Sequence, residues 1–336
     1  MSQPSVPLVR VTRGPLTECF HHGHIAVVDT AGTVLHQAGD PHFVTFARSA
    51  AKPLQALPVI ESGAADAFGL TGEEIALLCA SHNGEELHTS TAAAILGKIG
   101  LSELNLRCGA HLPFHRPTAS AMRERGEAPT SLHNNCSGKH AGMLALAVRL
   151  GAPTEDYLSL EHPAQQRMLE AVSGMSGVPE SSIAIGVDGC GVPVFGLPLS
   201  ALAAAYARLG CPESLAPQRR AACSRVTTAM AAHPEYVAGD DRFDTRLMRV
   251  SQGRVLGKMG AEGVFAMSVP ERGLGIAVKI EDGAKRALYP AAAEALRQLG
   301  LLDADQLSAL SSYHRPLQRN WQGTEVGAIV PDFRLV

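Results

Sequence analysis

Two strand pairs, one near each end of the chain, bracket a long helical middle, and this arrangement limits the available folds more than any other feature. The first, "HIAVVDTAGTVLHQAG" at residues 24–39, is two apolar, β-branched runs around an Asp-Thr-Ala-Gly turn. The second, "GVFAMSVPERGLGIAVKIEDG" at 263–283, turns at Pro270 to Gly273. Hairpins join antiparallel neighbours, and helices then cover the apolar face of the sheet. The expected fold class is therefore α+β, an antiparallel sheet flanked by helices.

Between the hairpins, "TGEEIALLCASHNGEELH" opens with a capping box, Thr71 to Glu74, and its apolar run stops abruptly at Ser81, which places Ser81 at the edge of an element. Helical spacing recurs in "TAAAILGKIG", "HAGMLALAVRL", "PAQQRMLEAVSGM", "LSALAAAYARLG" and "AKRALYPAAAEALRQLG". "SSIAIGVDGCG" reads as a short buried strand breaking into glycines. With 336 residues, 46% of them hydrophobic, the chain builds one large domain or two intimately packed lobes. No repeat, low-complexity tract or linker marks a boundary, so residues 1–336 are read as a single domain.

A formal charge of −3 leaves no basic field for a phosphate backbone, which argues against a nucleic-acid partner. The stretch "MSQPSVPLVRVTRGPLTECF" lacks the continuous apolar core of a signal peptide, and no stretch reaches the length of a membrane span, so a cytoplasmic protein is expected. The seven cysteines, an odd number, then read as reduced thiols, some packed in the core and some free to act as ligands.

Six lysines stand against 23 arginines, which makes a lysine inside a polar motif worth weighing, because lysine, unlike arginine, can lose its proton when buried. In "FARSAAKPLQALP", Ser49 and Lys52 admit two readings: a nucleophile with its base, or a serine capping a helix whose first turn holds Pro53, with Lys52 in water. Two more motifs follow in order, Ser81-His82-Asn83 and Lys258-Met259-Gly260. Together they form the S-x-x-K, S-x-N, K-x-G order of serine β-lactamases and penicillin-binding enzymes. A serine hydroxyl is a weak nucleophile at neutral pH, and a desolvated lysine beside another cation serves as its base.

A second constellation pairs "HNNCSGKHAG" with "VDGCGVP". Cys136 and His140 share a face if Cys136 opens the following helix, and Cys190 and Asp188 lie on a glycine-rich turn; thiolate, imidazole and carboxylate suit zinc. Buried structural thiols are the competing reading. "CSGKH" lacks the glycine of a Walker loop, and "GVDGCGVPVFG" never completes G-x-G-x-x-G. The histidines of "CFHHGHIAV" face different sides of a strand and read as structural, while "LRCGAHLP" and "GDDRFDTRLM" are polar loops able to border the site, their carboxylates read as solvated or helix-capping.

Through "ECFHHGH", "RSAAKPLQALP", "CASHNGEELH", "RCGAHLP", "HNNCSGKHAGML", "GVDGCGVPVFGLPLS", "HPEYVAG" and "GKMGAEGV", in that order, the sequence resembles the L-asparaginase II family, the Rhizobium-type or class 3 asparaginases, over almost its whole length. The resemblance implies a fold similar to serine β-lactamases and glutaminases, hydrolysis of L-asparagine to L-aspartate and ammonia, and a homodimer. It places serine and lysine dyads on Ser49 with Lys52 and on Ser81 with Lys258, and zinc (Zn2+) ligands on Cys136, Lys139 and Cys190. Lys139 lay outside the spacing argument; as a ligand it must give up its proton. Asp188 and His140 then orient ligands or a metal-bound water, and Arg48 holds the substrate carboxylate. Cys19, Ala47 and Met259 depart from the family pattern. Which serine attacks stays open. Two rivals are a penicillin-recognising serine acylase, implied by the motif order alone, and a catalytically silent zinc-binding protein.

Overall fold

The computed structural model describes residues 4–336. It contains two compact units, each assembled from separate stretches of chain: one from the segment ending at Ala50, Leu197–Cys211 and Arg246–Val336, the other from Ala51–Gly196 and Pro212–Thr245. The chain leaves and re-enters each unit, so no single linker exists for composition to reveal. Among the described residues, no helix is long and apolar enough to cross a membrane.

The first unit is an antiparallel sheet between helices, as expected. Its strands run in the order Leu317–Arg319, Glu325–Pro331, Val6–Arg13, Leu16–Asp29, Leu274–Ile280, Val264–Val269, Leu256–Gly260, with Val34–Ala38 also paired to Leu16–Asp29. Both hairpins read from the sequence are present. Val264–Val269 and Leu274–Ile280 are buried throughout, as is the second half of Leu16–Asp29, and Ile25, Val27, Phe265, Ile276 and Val278 supply much of the core.

Directly opposed residues of an antiparallel pair share a face. The row Lys258, Ala266, Ala277 therefore lies on one face and the row Met259, Phe265, Val278 on the other. Gly275 belongs to the Lys258 face, and any side chain there would overlap the carbonyl of Ala203, so the helix Leu199–Gly210 covers this face at backbone contact. The opposite face is covered by the helix Lys285–Gln298, whose Tyr289 ring stands edge-on to Phe265 with centroids 6.1 Å apart.

The second helix also carries the strongest buried charge cluster of this unit. Glu294 accepts hydrogen bonds from His314 Nε2 at 2.7 Å, from Arg297 at 2.9 and 2.7 Å and from Gln298 at 3.0 Å. Burial alone would raise its pKa, but these bonds outweigh burial and hold the carboxyl at about 2, against an ordinary 4.5. A depressed folded-state pKa contributes stability that is present above the unfolded value and lost as pH falls through the folded one. A shift of this size corresponds to about 3 kcal/mol, lost between roughly pH 5 and pH 2. Glu294→Gln is expected to be less stable at pH 7 and to approach the parent as pH drops. Urea midpoints of the two chains that stay equally separated from pH 7 to pH 3 would rule this assignment out.

The second unit is mainly helical. The helix Lys52–Glu61 packs on Pro163–Ser176, Pro217–Ala232 and Ser137–Leu150, and Gly72–Leu78 packs on the last two. Two readings need correction here. The strand Ala184–Val187, expected to be buried, is largely exposed: Val187 is 79% accessible. It occupies the edge of a three-stranded sheet, and its partner Pro193–Pro198 is the buried strand, so its apolar residues gain no cover. Ser49 does not cap the helix beginning at Lys52; the cap is Ala51, without a side-chain bond, and Ser49 sits in the preceding 3-10 turn Arg48–Ala51.

Of the "CFHHGHIAV" histidines, His21 and His24 are tied into the protein, while His22 is exposed. All lie on the strand Leu16–Asp29, which starts earlier than its apolar run. His21 pairs with Asp282 at 2.7 Å, and His24 accepts the Asp40 N–H at 2.9 Å while stacking on Phe43.

Candidate active site

In the second unit the polar motifs converge on Lys52. The S-x-x-K lysine does not point into water: it is fully buried, and its Nζ donates to Ala80 O at 2.5 Å, Ser81 Oγ at 3.0 Å and Cys136 Sγ at 3.1 Å. Three donors thus meet three acceptors, which leaves the ammonium no bond to spare. Lys52 and Ser81 were read as members of different dyads; here they are partners. Sequence spacing hid this pair because the residues come from the start of one helix and the exit of another.

Local structure fixes Ser81. The helix Gly72–Leu78 ends one turn earlier with Cys79 as its C-cap, and the chain then runs extended. Ser81 N–H donates to Val237 O at 3.0 Å and His82 N–H to Asn135 O at 3.2 Å, so both flanking segments are pinned by backbone bonds. His82 accepts the Gly84 N–H on Nδ1 at 3.1 Å and therefore carries its proton on Nε2, which donates to Ser137 Oγ at 2.9 Å. Burial, reinforced by His88 and Lys52, pushes the His82 pKa far down, so the ring is neutral.

Asn83 links to the "GDDRFDTRLM" loop. Its Nδ2 donates to Asp241 at 2.6 Å and to Glu85 at 3.2 Å, while Oδ1 accepts from Arg242 at 3.0 Å. The loop thus borders the site, as the sequence suggested: Asp241 anchors the S-x-N motif, and Asp244, in the first turn of the helix Phe243–Val250, is fully buried rather than solvated.

Beside Lys52 lies a sulfur and amine cluster. As expected, Cys136 stands at the start of a helix, Ser137–Leu150. Gly138 is required there, since any side chain would overlap the Leu77 carbonyl. Asn134 holds the approach, accepting Cys136 N–H at 2.9 Å and donating to Cys108 O at 2.8 Å. Lys139 Nζ donates to Cys190 Sγ at 3.1 Å. A hydrogen bond from Cys190, with Lys52 and Lys139 nearby, overcomes burial and holds the Cys136 thiol far below its ordinary range; the Cys190 thiol, the donor, is pushed up. For Lys139, burial works downward, but Cys190, Cys136 and Asp188 outweigh it and raise the pKa. Cys136 thus lies beside the Lys52 amine, Cys190 beside the Lys139 amine, and Asp188, on the turn after Val187, is close enough to act on Lys139.

His140 is turned away from a ligand role through Nδ1. The Tyr157 hydroxyl accepts the Arg107 N–H at 2.8 Å and shares a hydrogen bond with His140 Nδ1 at 2.7 Å. His140 Nε2 is buried without a protein partner, and burial next to Lys139 keeps the ring neutral. Among the described residues no group of three or more His, Cys, Asp or Glu side chains is gathered for a metal, so the set Cys136, His140, Asp188 and Cys190 does not assemble. The donors in contact are instead two sulfurs and an amine: Cys136, Cys190 and Lys139.

The remaining predicted residues belong to the first unit. Ser49 is half-buried in its 3-10 turn. The preceding Arg48 has φ 49°, in the left-handed region that costs a non-glycine residue about 1–2 kcal/mol. Tyr206 of the helix Leu199–Gly210 donates to Ala50 O at 2.7 Å and holds this turn in place. Gly260 on the strand Leu256–Gly260 has no room for a side chain because Ala47 O and Ala50 N lie against it. Lys258, two residues back on the same face, is fully buried and donates to Met259 O at 2.7 Å. Ser49 and Lys258 are thus brought to one face of the sheet.

The family model for L-asparaginase II matches residues 9–331. No curated protein matches the chain by sequence. Among solved structures, similarity extends to a beta-lactamase from Mycobacterium bovis (17% identity, 83% of this chain and 95% of that one, TM-score 0.46). It extends also to Mglu in its native form (15% identity, 84% and 66%, TM-score 0.47) and to a mutant of simvastatin synthase from Aspergillus terreus (11% identity, 77% and 86%, TM-score 0.38).

Proposed function

Because the chain belongs to the L-asparaginase II family, we propose that it is an amidohydrolase that cleaves the side-chain amide of L-asparagine to L-aspartate and ammonia through a serine acyl-enzyme. The observation that supports this reading best is the buried contact of Lys52 Nζ with Ser81 Oγ at 3.0 Å, a hydroxyl within proton-transfer distance of an amine.

In this reading a serine hydroxyl adds to the amide carbon, and its proton passes to a lysine amine. The same lysine returns the proton to the departing nitrogen, which leaves as ammonia. Water then attacks the ester, and aspartate is released with the serine hydroxyl restored. Lys52 can take that proton only as the neutral amine. Ser81 and Ser49 both remain as the attacking group, with Ser81 favoured by its contact with Lys52. The serine whose peptide carries the added mass after rapid acid quench is the nucleophile. Arg48, Asp188 and His140 stay with this proposal as groups that orient substrate.

Zinc enters the same proposal. Cys136, Cys190 and Lys139 form a buried donor set of two sulfurs and one nitrogen, softness that suits Zn2+. Bound there, zinc would supply fixed positive charge for the substrate's carboxylate end or for the loops around it. A homodimer in the cytoplasm completes the reading.

The deciding experiment is ammonia release by the purified chain. L-Asparagine is expected to exceed L-glutamine by at least about a hundredfold in kcat/KM, because an added methylene displaces the reacting carbon from a site fixed on the α-carboxylate. Comparable rates for the two amides would show that the carboxylate is not clamped, and no ammonia from either would remove the function.

A further inference from the structure

On the sheet face opposite Lys258, a cavity of about 910 Å3 opens within the first unit. Leu274 belongs to the row that faces the helix Lys285–Gln298, and the cavity is bounded by Leu274, by the end of that helix, by Leu35 and by residues 333–335. Nothing in the amide chemistry uses it.

Its charge is opposite to that of the chain. Arg272, Arg297 and Arg334 line it against one carboxylate, Glu294, in a protein of formal charge −3. The Glu294 carboxylate is already engaged by His314, Arg297 and Gln298. Arg272 and Arg334, by contrast, make no hydrogen bond or ion pair with any of the described residues. Two guanidinium groups held at one cavity without a counter-charge repel each other, and a bound anion relieves that repulsion. Their planar forks match carboxylate and phosphate oxygens two at a time. Beside them Leu35, Leu274, Leu299 and Phe333 form an apolar strip of the wall, with His36 and Gln298 as its further polar side chains. Guanidinium groups beside an apolar wall select a ligand with an anionic head and a hydrocarbon body, and the volume is that of ordinary small-molecule sites.

We propose that this cavity binds a small organic dianion, its phosphate or carboxylate groups on Arg272, Arg297 and Arg334 and its apolar body against Phe333 and the leucines. The site is separate from the serine and lysine residues and does not depend on the amidohydrolase reading.

Calorimetric titration of the intact chain at low ionic strength, with phenyl phosphate and with phthalate as probes, tests it. At least one probe is expected to bind, more tightly than inorganic phosphate and more weakly as salt is added. The double variant Arg272→Ala/Arg334→Ala is expected to weaken that binding at least about tenfold, since each charged hydrogen bond contributes on that scale. Both side chains are exposed and unbonded, so the variant should keep the parent's thermal midpoint. Tighter binding of phenyl phosphate identifies a phosphate ligand, and tighter binding of phthalate a dicarboxylate; either supports the site. Absence of binding by both probes at millimolar concentration, or equal binding by parent and double variant, overturns it.

Discussion

Lys52→Met is expected to lower asparagine turnover by about a thousandfold or more, and Ser81→Ala by a comparable factor, while the double variant is no slower than the slower single one. The reason is that Lys52 and Ser81 touch at 3.0 Å and move one proton between them, so removing either disables both. Residues that act independently would multiply their losses instead. The two variants differ in what they do to the fold. Methionine nearly fills the lysine's volume but leaves the Cys136 thiolate with one cation fewer, a loss that costs about 3–5 kcal/mol for a buried pair broken on one side. Ser81→Ala deletes only a hydroxyl and leaves the Lys52 contacts with Ala80 and Cys136 in place, so its circular dichroism should match the parent while the one buried N–H left unpaired costs about 1–3 kcal/mol of stability. Ammonia release by folded Ser81→Ala at a rate near the parent's would end the case for this pair, and multiplied losses in the double variant would separate their roles.

The sequence made the sheet legible because its hairpins are bounded by turn residues and filled with β-branched residues. It made the helices at 163–176, 199–210 and 285–298 legible because their apolar residues recur at helical spacing. Pro217–Ala232, the longest helix described, escaped notice for a physical reason. Its residues "PQRRAACSRVTTAMAA" scatter alanine, arginine and threonine around the whole circumference, so no stripe marks a buried side, although Cys223, Val226 and Met230 are fully buried. The strand Val6–Arg13 was hidden for a related reason: its pairing with Glu325–Pro331 joins residues more than 300 positions apart, and neither run announces its partner.

At the candidate site, residue types were legible and partnerships were not. Motif order brought Ser49, Lys52, Ser81 and Lys258 forward, and the family resemblance brought Lys139. No periodicity relates Lys52 to Ser81, because their contact depends on where the helix Gly72–Leu78 stops and on backbone bonds to residues 135 and 237. His140 shows the converse. Its spacing from Cys136 fits one helix face, but a side chain from a distant loop, Tyr157, takes its Nδ1. Helical spacing fixes which residues can meet on one element, and the other half of each contact comes from elsewhere in the chain.

The second large effect is expected for zinc. The parent chain should retain about one Zn2+ per chain after dialysis against buffer, and Cys190→Ala close to none, because the alanine removes one of two sulfurs from a three-residue donor set. Cys190 and Cys136 share a hydrogen bond, and Lys139 is held protonated by Cys190, Cys136 and Asp188, so zinc has to displace the Lys139 proton and the Cys190 proton before all three residues can coordinate. Affinity should therefore fall as pH falls. A metal that binds the folded chain alone stabilises it, by about 4 kcal/mol when free zinc is a thousand times its dissociation constant. Cys190→Ala also loses the Lys139 bond without any metal, so the readout is the shift in thermal midpoint on adding zinc, not the midpoint itself. That shift should be large in the parent and in Cys223→Ala, a buried thiol on the helix Pro217–Ala232, and absent in Cys190→Ala. In kinetics, zinc removal should raise KM more than it lowers kcat, since the bond-breaking is assigned to serine and lysine. Equal zinc content in the parent and Cys190→Ala would remove the metal from these three residues, and a zinc-free chain with intact fold and no turnover at saturating asparagine would move it into the chemistry.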